Sequence, residues 1–451
     1  MKKTKITALI LLLSVVLCGC AETGAETGAE TGATRPVVTA PEPETLPPII
    51  TADVTEGTGP EQTAEDTTQT QTAPTPDTTV TDAPGTTSAE TEPVAQPKGD
   101  RVSFLFCGDN LAHDAVINNA KRYAEGKGNE YDFLPIYEDV ARYIKSADVA
   151  VINQESQIAG DAAKIGGYPR FNTPSQMGDD LISLGFDVIT TANNHMLDNG
   201  TKGLKNSIAY WKDKPVLTVG SYKDKTDYDT VRVLEKNGVR FAFLAYTEMT
   251  NSNRRAEDGY ITPLLDADVI KRQVAAAKKV ADVVIVLPHW GDEDNFGVTS
   301  AQKKYAKLFA EANVDIVVGM HSHVAGKIEY IDRADGGKML CAYSLGNFVS
   351  TMEYARNLVG LMLSLDVVYE NGKYVCENVK VIPTVTYFVY TSSKRLEDRT
   401  DLRLYLLSDF TDGLAEKHAY NEHEKNTVRL DKLKKYVTDT VDGKFLPDYL
   451  K

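Results

Sequence analysis

The chain has 451 residues, of which 42% are hydrophobic, and a formal net charge of −15. A chain of this length and composition can bury a large core, and the lack of a basic block argues against a nucleic-acid-binding protein. Its five cysteines include no Cys-x-x-Cys pair, which excludes a zinc ribbon and argues against a disulfide framework.

The first twenty residues are typical of an export signal that ends in a lipidated cysteine. Three lysines precede an apolar run, Ile6–Leu17, which is shorter than the roughly 20 residues that a membrane-spanning helix needs. The run leads into the sequence LCGC, which looks like a lipobox. We therefore predict that Cys20 is acylated and holds the protein by a lipid anchor at the extracellular face of the cell membrane. The alternative is an ordinary cleaved signal with incidental cysteines, because small residues before the cleavage site serve both kinds of signal.

Residues 21–99 are predicted to form a disordered tether. The segment opens with three AETG repeats and has no aromatic residue. Its 14 acidic side chains, against one arginine and one lysine, give it a charge of −12. Such a segment cannot bury enough apolar surface to offset the entropy lost on ordering it. Subtracting this −12 and the +3 of the N-terminal lysines from −15 leaves −6 for Asp100–Lys451, an ordinary value for a folded region.

Residues 100–390 alternate between short apolar runs and amphipathic segments, a pattern typical of an α/β domain. Because most of the runs are continuously apolar, we expect strands that are buried on both faces. The predicted strands are Val102–Cys107, Asp148–Ile152, Asp187–Thr190, Val239–Tyr246, Val283–Leu287 and Asp315–Val318. Helical spacing predicts one apolar face made of Ile270, Val274, Ala277 and Ala281, and a second made of Ala301, Tyr305, Leu308 and Ala312.

The end of this region has a different pattern. Met339–Leu345, Leu358–Val368 and Lys373–Ile382 are predicted to be antiparallel strands, with Asn371-Gly372 as the turn of a hairpin. Residues 391–451 form a polar extension that is predicted to be partly helical, and no chemistry is assigned to it.

Polar side chains follow the first two predicted strands. Asp109 ends the first strand in the sequence CGDNLAHD, which also contains His113, and Glu155 follows the second strand in INQES. Asp109 and Glu155 each have an ordinary explanation as well, because aspartate is common in turns and a single glutamate is usually on the surface. As a strand-tip carboxylate, Glu155 could bridge two cations.

The third cluster, TANNHMLDNG, follows the strand that ends at Thr190. Asn194 and His195 would place a carbonyl oxygen beside an imidazole, and Asp198 could hydrogen-bond that imidazole and hold its tautomer. Asn-His as simple turn chemistry is the alternative.

Three more histidines follow the last two predicted strands. His289 lies in LPHWGDE, and His321 and His323 lie in GMHSHV. His-x-His on an extended segment points both imidazoles to one side. Because ligands of open α/β folds bind at the carboxyl ends of strands, all five clusters can converge on a metal site. Imidazoles with carboxylates and an amide oxygen suit Mn, Fe or Zn.

The order of these clusters resembles that of the CapA-like family of bacterial capsule and poly-γ-glutamate biosynthesis proteins, within the calcineurin-like metallophosphatase superfamily. The resemblance runs from about Arg101 to Thr384 and rests on the stretches CGDNLAHD, ADVAVINQES, GYPRFNTP, GFDVITTANNHMLDNG, LPHWGDE, VDIVVGMHSHV and YSLGNFVS. It implies an αββα sandwich of two β-sheets flanked by helices, with two divalent metal ions at the strand tips.

The resemblance also implies roles for individual residues. One metal would be held by Asp109, His113 and His323, the other by Asn194, His289 and His321, and Glu155 would bridge them. His195 would be the general acid, or would stabilise charge on the oxyanion, and Asp198 would orient it. The chain departs from the superfamily pattern at His113, which stands four residues after Asp109 instead of two, and at Glu155, where aspartate is usual.

The sequence is compatible with three functions. The first is a surface metallohydrolase of capsule or polyglutamate metabolism, acting on a phosphoester or on an amide of γ-linked glutamate. The second is a non-catalytic polymer-binding or export component with structural metals, and the third is a general extracellular phosphoesterase. The partners expected are an anionic extracellular polymer or phosphoester, the membrane, and other capsule or polyglutamate synthesis proteins.

Overall fold

The computed structural model describes residues 101–252, 256–391, 395–422 and 427–451. The predicted export signal, the lipidation site Cys20 and the predicted tether lie outside the described residues. Within the described part of the chain, no helix combines the length and the apolar character needed to cross a bilayer.

The described strands and helices alternate through the first two thirds of this region, and strands then dominate up to residue 406. The strands are β1 Arg101–Asn110, β2 Val149–Gln154, β3 Val188–Thr190, β4 Leu217–Val219, β5 Arg232–Lys236, β6 Val239–Thr247, β7 Val283–His289, β8 Ile316–Val318, β9 Ile328–Asp332, β10 Lys338–Ala342, β11 Asn347–Val349, β12 Val359–Glu370, β13 Lys373–Tyr390 and β14 Arg399–Leu406. The α-helices are α1 Asp114–Ala124, α2 Ala141–Ser146, α3 Ser175–Leu184, α4 Gly200–Lys212, α5 Lys225–Asp229, α6 Ala267–Val280, α7 Ser300–Glu311, α8 Asp412–Lys417 and α9 Leu430–Thr438.

The strands form two sheets. The first has the order β14-β13-β12-β1-β2-β3-β4, with β11 paired to β1; its β1–β4 half is parallel and its β12–β14 half is antiparallel. The second has the order β5-β6-β7-β8-β10-β9, in which β6, β7, β8 and β10 are parallel and the two edge strands are antiparallel to their neighbours. The carboxyl ends of the parallel strands are therefore the place where loops from each sheet can meet.

The two sheets share a core. Phe104 of β1 and Phe241 of β6 meet edge to face, with 4.8 Å between ring centroids, in a cluster that draws apolar residues from both sheets. The alternate residues of β6 and β7, such as Leu244, face the other side of the sheet. They belong to a second apolar cluster, with Val274 of α6 and Phe309 of α7. This alternation is that of strands covered on both faces. The predicted α/β fold, with two sheets, flanking helices and an antiparallel C-terminal section, is confirmed.

The buried face of α7 lies one residue away from the predicted face. Ala301, Tyr305, Leu308 and Ala312 are only half-buried, whereas the helix buries Gln302, Ala306, Phe309 and Ala310. Two contacts set this rotation. Phe309 stacks on Tyr246, with 6.3 Å between ring centroids, and the Gln302 side chain completes a capping box with Thr299.

The C-terminal strands differ from prediction in length and pairing. β10 ends at Ala342, three residues early, and is parallel to β8 although antiparallel to β9. β13 continues eight residues beyond the predicted end at Ile382. The hairpin turn is confirmed, because Asn371 and Gly372 join β12 to β13 with φ values of 50° and 86°. The extension is partly helical in α8 and α9, but it also contains β14, which pairs with β13.

A close backbone approach fixes the tip of β1. A Cβ atom on Gly108 would lie 1.9 Å from the Gly346 carbonyl oxygen, so only glycine fits there. Asp109 N donates to the same oxygen at 3.0 Å. This contact between β1 and the segment before β11 places the Asp109 carboxylate at the strand tip.

Candidate metal centre

Six of the predicted site residues converge where strands of both sheets end. All six are buried, with at most 4% of their surface exposed. They are Asp109 on β1, Glu155 after β2, Asn194 after β3, His289 at the end of β7, and His321 and His323 after β8.

Asp109, Glu155 and His323 form one group of potential metal ligands. One donor atom from each lies within 4.8 Å of the others. His323 Nδ1 is 3.3 Å from Asp109 Oδ2, and its Nε2 is 3.7 Å from Glu155 Oε1. Two carboxylates and one imidazole thus face a common point.

Glu155 also belongs to a second group, with His289 and His321. His289 Nε2 is 3.6 Å from Glu155 Oε1 and 3.1 Å from His321 Nδ1. The Asn194 side-chain oxygen lies 3.0 Å from the same His289 nitrogen. The two groups overlap in one carboxylate, as they would if it bridged two cations.

Glu155 lies within ion-pair distance of His289 and His323, but no described residue gives it a hydrogen bond that would compensate its burial. Neither carboxylate oxygen has a hydrogen-bond partner among the described residues. Burial, followed by the nearby Asp109 carboxylate, holds the pKa of Glu155 well above its usual range. An orphaned buried carboxylate calls for a cation or a proton, so this donor set fits a divalent metal ion.

The three ligand-group imidazoles have different electrostatic surroundings. Burial, reinforced by the neighbouring His323, lowers the pKa of His321 to about 4. Burial and the neighbouring imidazoles hold the pKa of His289 well below its usual range. Both rings are therefore neutral at pH 7, the form that binds metals. Burial also disfavours the charged form of His323, but the carboxylates of Glu155 and Asp109 outweigh it and raise its pKa to about 10.

His195 is adjacent to the ligand groups and held by a different set of contacts. Its Nδ1 lies 2.8 Å from Asp198 Oδ2, and its ring packs edge-on against Phe171 with 4.7 Å between centroids. Asp198 also accepts a hydrogen bond from Phe171 N at 2.9 Å. With Nδ1–H donated to Asp198, the proton that His195 can exchange is at Nε2.

His113 lies in none of the three ligand groups found among the described residues. It precedes α1, and its Nδ1 accepts a 3.4 Å hydrogen bond from Thr351 N. Its ring packs against Phe171, with 5.3 Å between centroids. Its role as a ligand stays a prediction.

Several contacts to the centre were missed from the sequence. Asn153 Nδ2 donates to Asp109 Oδ1 at 2.7 Å, and Asn347 Oδ1 lies 2.9 Å from His323 Nδ1. Such partners orient ligating side chains. The exposed Glu293 forms a third ligand group with His321 and His323. The only available signal was that these residues lie in INQES, GNFVS and HWGDE, stretches that carry the family resemblance.

A cleft of about 580 Å³ opens beside the centre. Two of its lining residues link it to the site: Glu293, from the third ligand group, and His113. Thr351, Glu353 and Arg399 line it as well. A small molecule in this cleft would be next to the candidate ligands.

Comparisons with known proteins match this chain to one family of capsule synthesis proteins. The model of a family described as bacterial capsule synthesis protein PGA_cap matches residues 103–352. The chain is 28% identical over 275 residues to the capsule biosynthesis protein CapA of Bacillus anthracis, covering 58% of this chain and 63% of that protein. It is 28% identical over 279 residues to the PGA biosynthesis protein CapA of Bacillus subtilis (strain 168), covering 59% and 68%.

Among solved structures, the chain is similar to the calcineurin-like phosphoesterase YfkN from Bacillus subtilis. The identity is 14%, the TM-score is 0.37, and the match covers 63% of this chain and 90% of that one. The candidate ligands lie between Asp109 and His323, inside the PGA_cap match.

Proposed function

Because the chain belongs to the bacterial capsule synthesis protein family PGA_cap, we propose that it acts in capsule or poly-γ-glutamate biosynthesis as a hydrolase that uses two divalent metal ions. A phosphoester is the substrate class proposed first, and an amide of γ-linked glutamate second. The matched stretch spans 63% of the Bacillus anthracis relative, so the activity is proposed for this chain on its own residues.

The overlap of two ligand groups in Glu155 is the observation that carries the proposal. Asp109 and His323, with His113 as a predicted further ligand, would hold one ion. His289, His321 and Asn194 would hold the other, and Glu155 would bridge them. Metal ions bound there would supply a nucleophilic water of lowered pKa and would neutralise charge that develops on the substrate. The mixed set of carboxylate, amide and imidazole donors suits Mn, Fe or Zn.

His195 would contribute the proton chemistry. Asp198 accepts from its Nδ1 and Phe171 packs against the ring, so the imidazole is fixed in orientation. A ring held in this way can donate a proton from Nε2 to a leaving group, or stabilise an oxyanion. A site that only stored structural metals would need neither His195 nor Asp198.

The direct test is metal analysis of the purified full chain beside a hydrolysis panel of phosphoesters and γ-linked glutamate oligomers. We expect close to two bound ions per chain, loss of hydrolysis on treatment with a chelator, and recovery when Mn, Fe or Zn is returned. Bound metal without turnover of any panel member would contradict the hydrolase and would favour a non-catalytic export component.

We further propose that a lipid on Cys20 anchors the protein outside the cell membrane. Support comes from the apolar run Ile6–Leu17 and the LCGC sequence after it. In a bacterial host, Cys20→Ala should move the protein from the membrane fraction to the soluble fraction, whereas Cys18→Ala should not, because only the residue after the cleavage point is acylated. Retention of Cys20→Ala in membranes would refute the anchor without bearing on the metal centre.

A further inference from the structure

Arg399 is a buried positive charge that lines the cleft. It begins β14, in the extension to which the sequence assigned no chemistry and beyond the PGA_cap match. Only 3% of its surface is exposed, yet it lines the cleft together with His113 and Glu293. The fold therefore brings a guanidinium from the end of the chain next to residues of the candidate metal centre.

The contacts of Arg399 leave part of its hydrogen-bonding capacity unused. One terminal nitrogen, Nη1, donates to the Thr351 carbonyl oxygen. The guanidinium carbon lies 4.9 Å from the Phe388 ring centroid and 5.3 Å from that of Tyr420. Nε is buried without a hydrogen-bond partner. Across the described residues, no carboxylate lies within ion-pair distance of this arginine.

No side chain of the described residues supplies a negative charge that would compensate the buried charge of Arg399. A buried guanidinium is rarely left without a counter-charge, because losing its hydration is costly. The aromatic faces of Phe388 and Tyr420 offset part of this cost through cation–π attraction, but they cannot accept the Nε hydrogen bond. Arginine recognises carboxylates and phosphates through paired N–H groups, so an oxyanion would supply what the protein does not.

We propose that Arg399 binds one oxyanionic group, a carboxylate or a phosphate, of a molecule that enters the cleft. If the proposed function is correct, this group belongs to the substrate, and Arg399 positions the substrate at the metals. Binding of the anion by Arg399 does not depend on the proposed function.

The other charges of the cleft restrict the shape of this ligand. Asp294 is neutralised by Arg356, whose Nε lies 3.1 Å from its carboxylate. Asp114, Glu293, Glu353 and Glu397 line the cleft as exposed side chains, and Glu397 is paired with Arg395 at 3.7 Å. Because carboxylates outnumber basic side chains among the lining residues, an extended polyanion would be repelled along the cleft, whereas a single end group needs to reach only Arg399. The ligand is therefore the anionic end of a molecule.

The test is calorimetric titration of the full chain after chelator treatment, so that no metal binds the probes. Inorganic phosphate and γ-glutamyl-glutamate are titrated separately, and the tighter probe identifies which oxyanion the site prefers. For that probe, Arg399→Gln should raise the dissociation constant at least ~10-fold, the loss expected for a hydrogen bond to a charged group. Arg399→Lys keeps the charge but loses the paired N–H edge, and should weaken binding by a smaller factor while retaining the parent melting temperature.

Arg403→Gln is the matched control. Arg403 lies on the same strand, its side chain is 40% exposed, and it pairs with Glu138 at 3.2 Å. The affinity of this variant for both probes should therefore equal that of the parent. The proposal fails if the parent binds neither probe, or if the Arg399 variants that fold bind both probes as tightly as the parent does. Because no metal is present, these outcomes are independent of whether the protein proves to be a hydrolase.

Discussion

Replacing His195 with alanine should lower turnover by ~10²–10⁴-fold, the contribution typical of a positioned acid, while bound metal stays close to the parent value. The reason is in its contacts. The imidazole uses Nδ1 to bind Asp198 and packs on Phe171, and it belongs to none of the ligand groups among the described residues. The measurement is metal content beside initial rates on the best substrate of the panel.

Two further variants make this result interpretable. Asp198→Asn should resemble a milder His195→Ala, because the amide keeps the shape of the contact and disturbs only the orientation and charge of the imidazole. His289→Ala should lose both metal and activity, because it removes a ligand. If all three proteins bind metal and support polymer export as the parent does, the catalytic role is wrong and an export component with structural metals replaces it.

Replacing Glu155 with alanine should abolish hydrolysis and remove most of the bound metal. Glu155 is the carboxylate common to two ligand groups, so a single substitution weakens both sites. The measurement is metal stoichiometry by elemental analysis, followed by rates in excess metal.

The same substitution has a second expected effect that a surface carboxylate would not show. In metal-free protein, Glu155 is buried, neither of its oxygens has a hydrogen-bond partner in the described part of the chain, and the nearest imidazole nitrogens lie 3.6 and 3.7 Å away. Removing such a group relieves a desolvation cost that these longer contacts offset only in part. The chelated variant should therefore melt no lower than the chelated parent, while added metal should stabilise only the parent. Glu397→Ala, which alters an exposed carboxylate of the cleft, is the control and should change neither quantity. Normal stoichiometry in Glu155→Ala would remove Glu155 from the site.

The elements that could be predicted from the sequence are those whose signal is local. Long apolar runs such as β6 and β7 are recognisable because both of their faces are buried. The histidines at the strand ends could be predicted to converge because parallel strands carry their carboxyl ends to one edge. Turn chemistry was equally local, as the hairpin at Asn371-Gly372 shows.

What could not be predicted depends on partners distant in the chain. β4 and β11 are three residues long and exist through pairing with neighbouring strands, so no periodicity marks them. The buried face of α7 differs from the predicted one because an aromatic contact of Phe309 and the capping box of Gln302 determine which side of the helix faces the core. The contacts of Asn153 and Arg399 could not be predicted, since their roles arise from contacts to residues 44 and 48 positions away.

The candidate ligands are divided between the two sheets. Asp109, Glu155 and Asn194 extend from the first sheet, and the three histidines extend from the second. Asp109 and His321, which contact each other, are 212 residues apart in the chain. Ions bound between these side chains would hold the two sheets together, so the concentration of free metal would enter the folding equilibrium directly. A ligand at a hundred times its dissociation constant adds about 2.7 kcal/mol to a folded state that alone binds it. The stability of the fold would then vary with the concentration of metal ions around the protein.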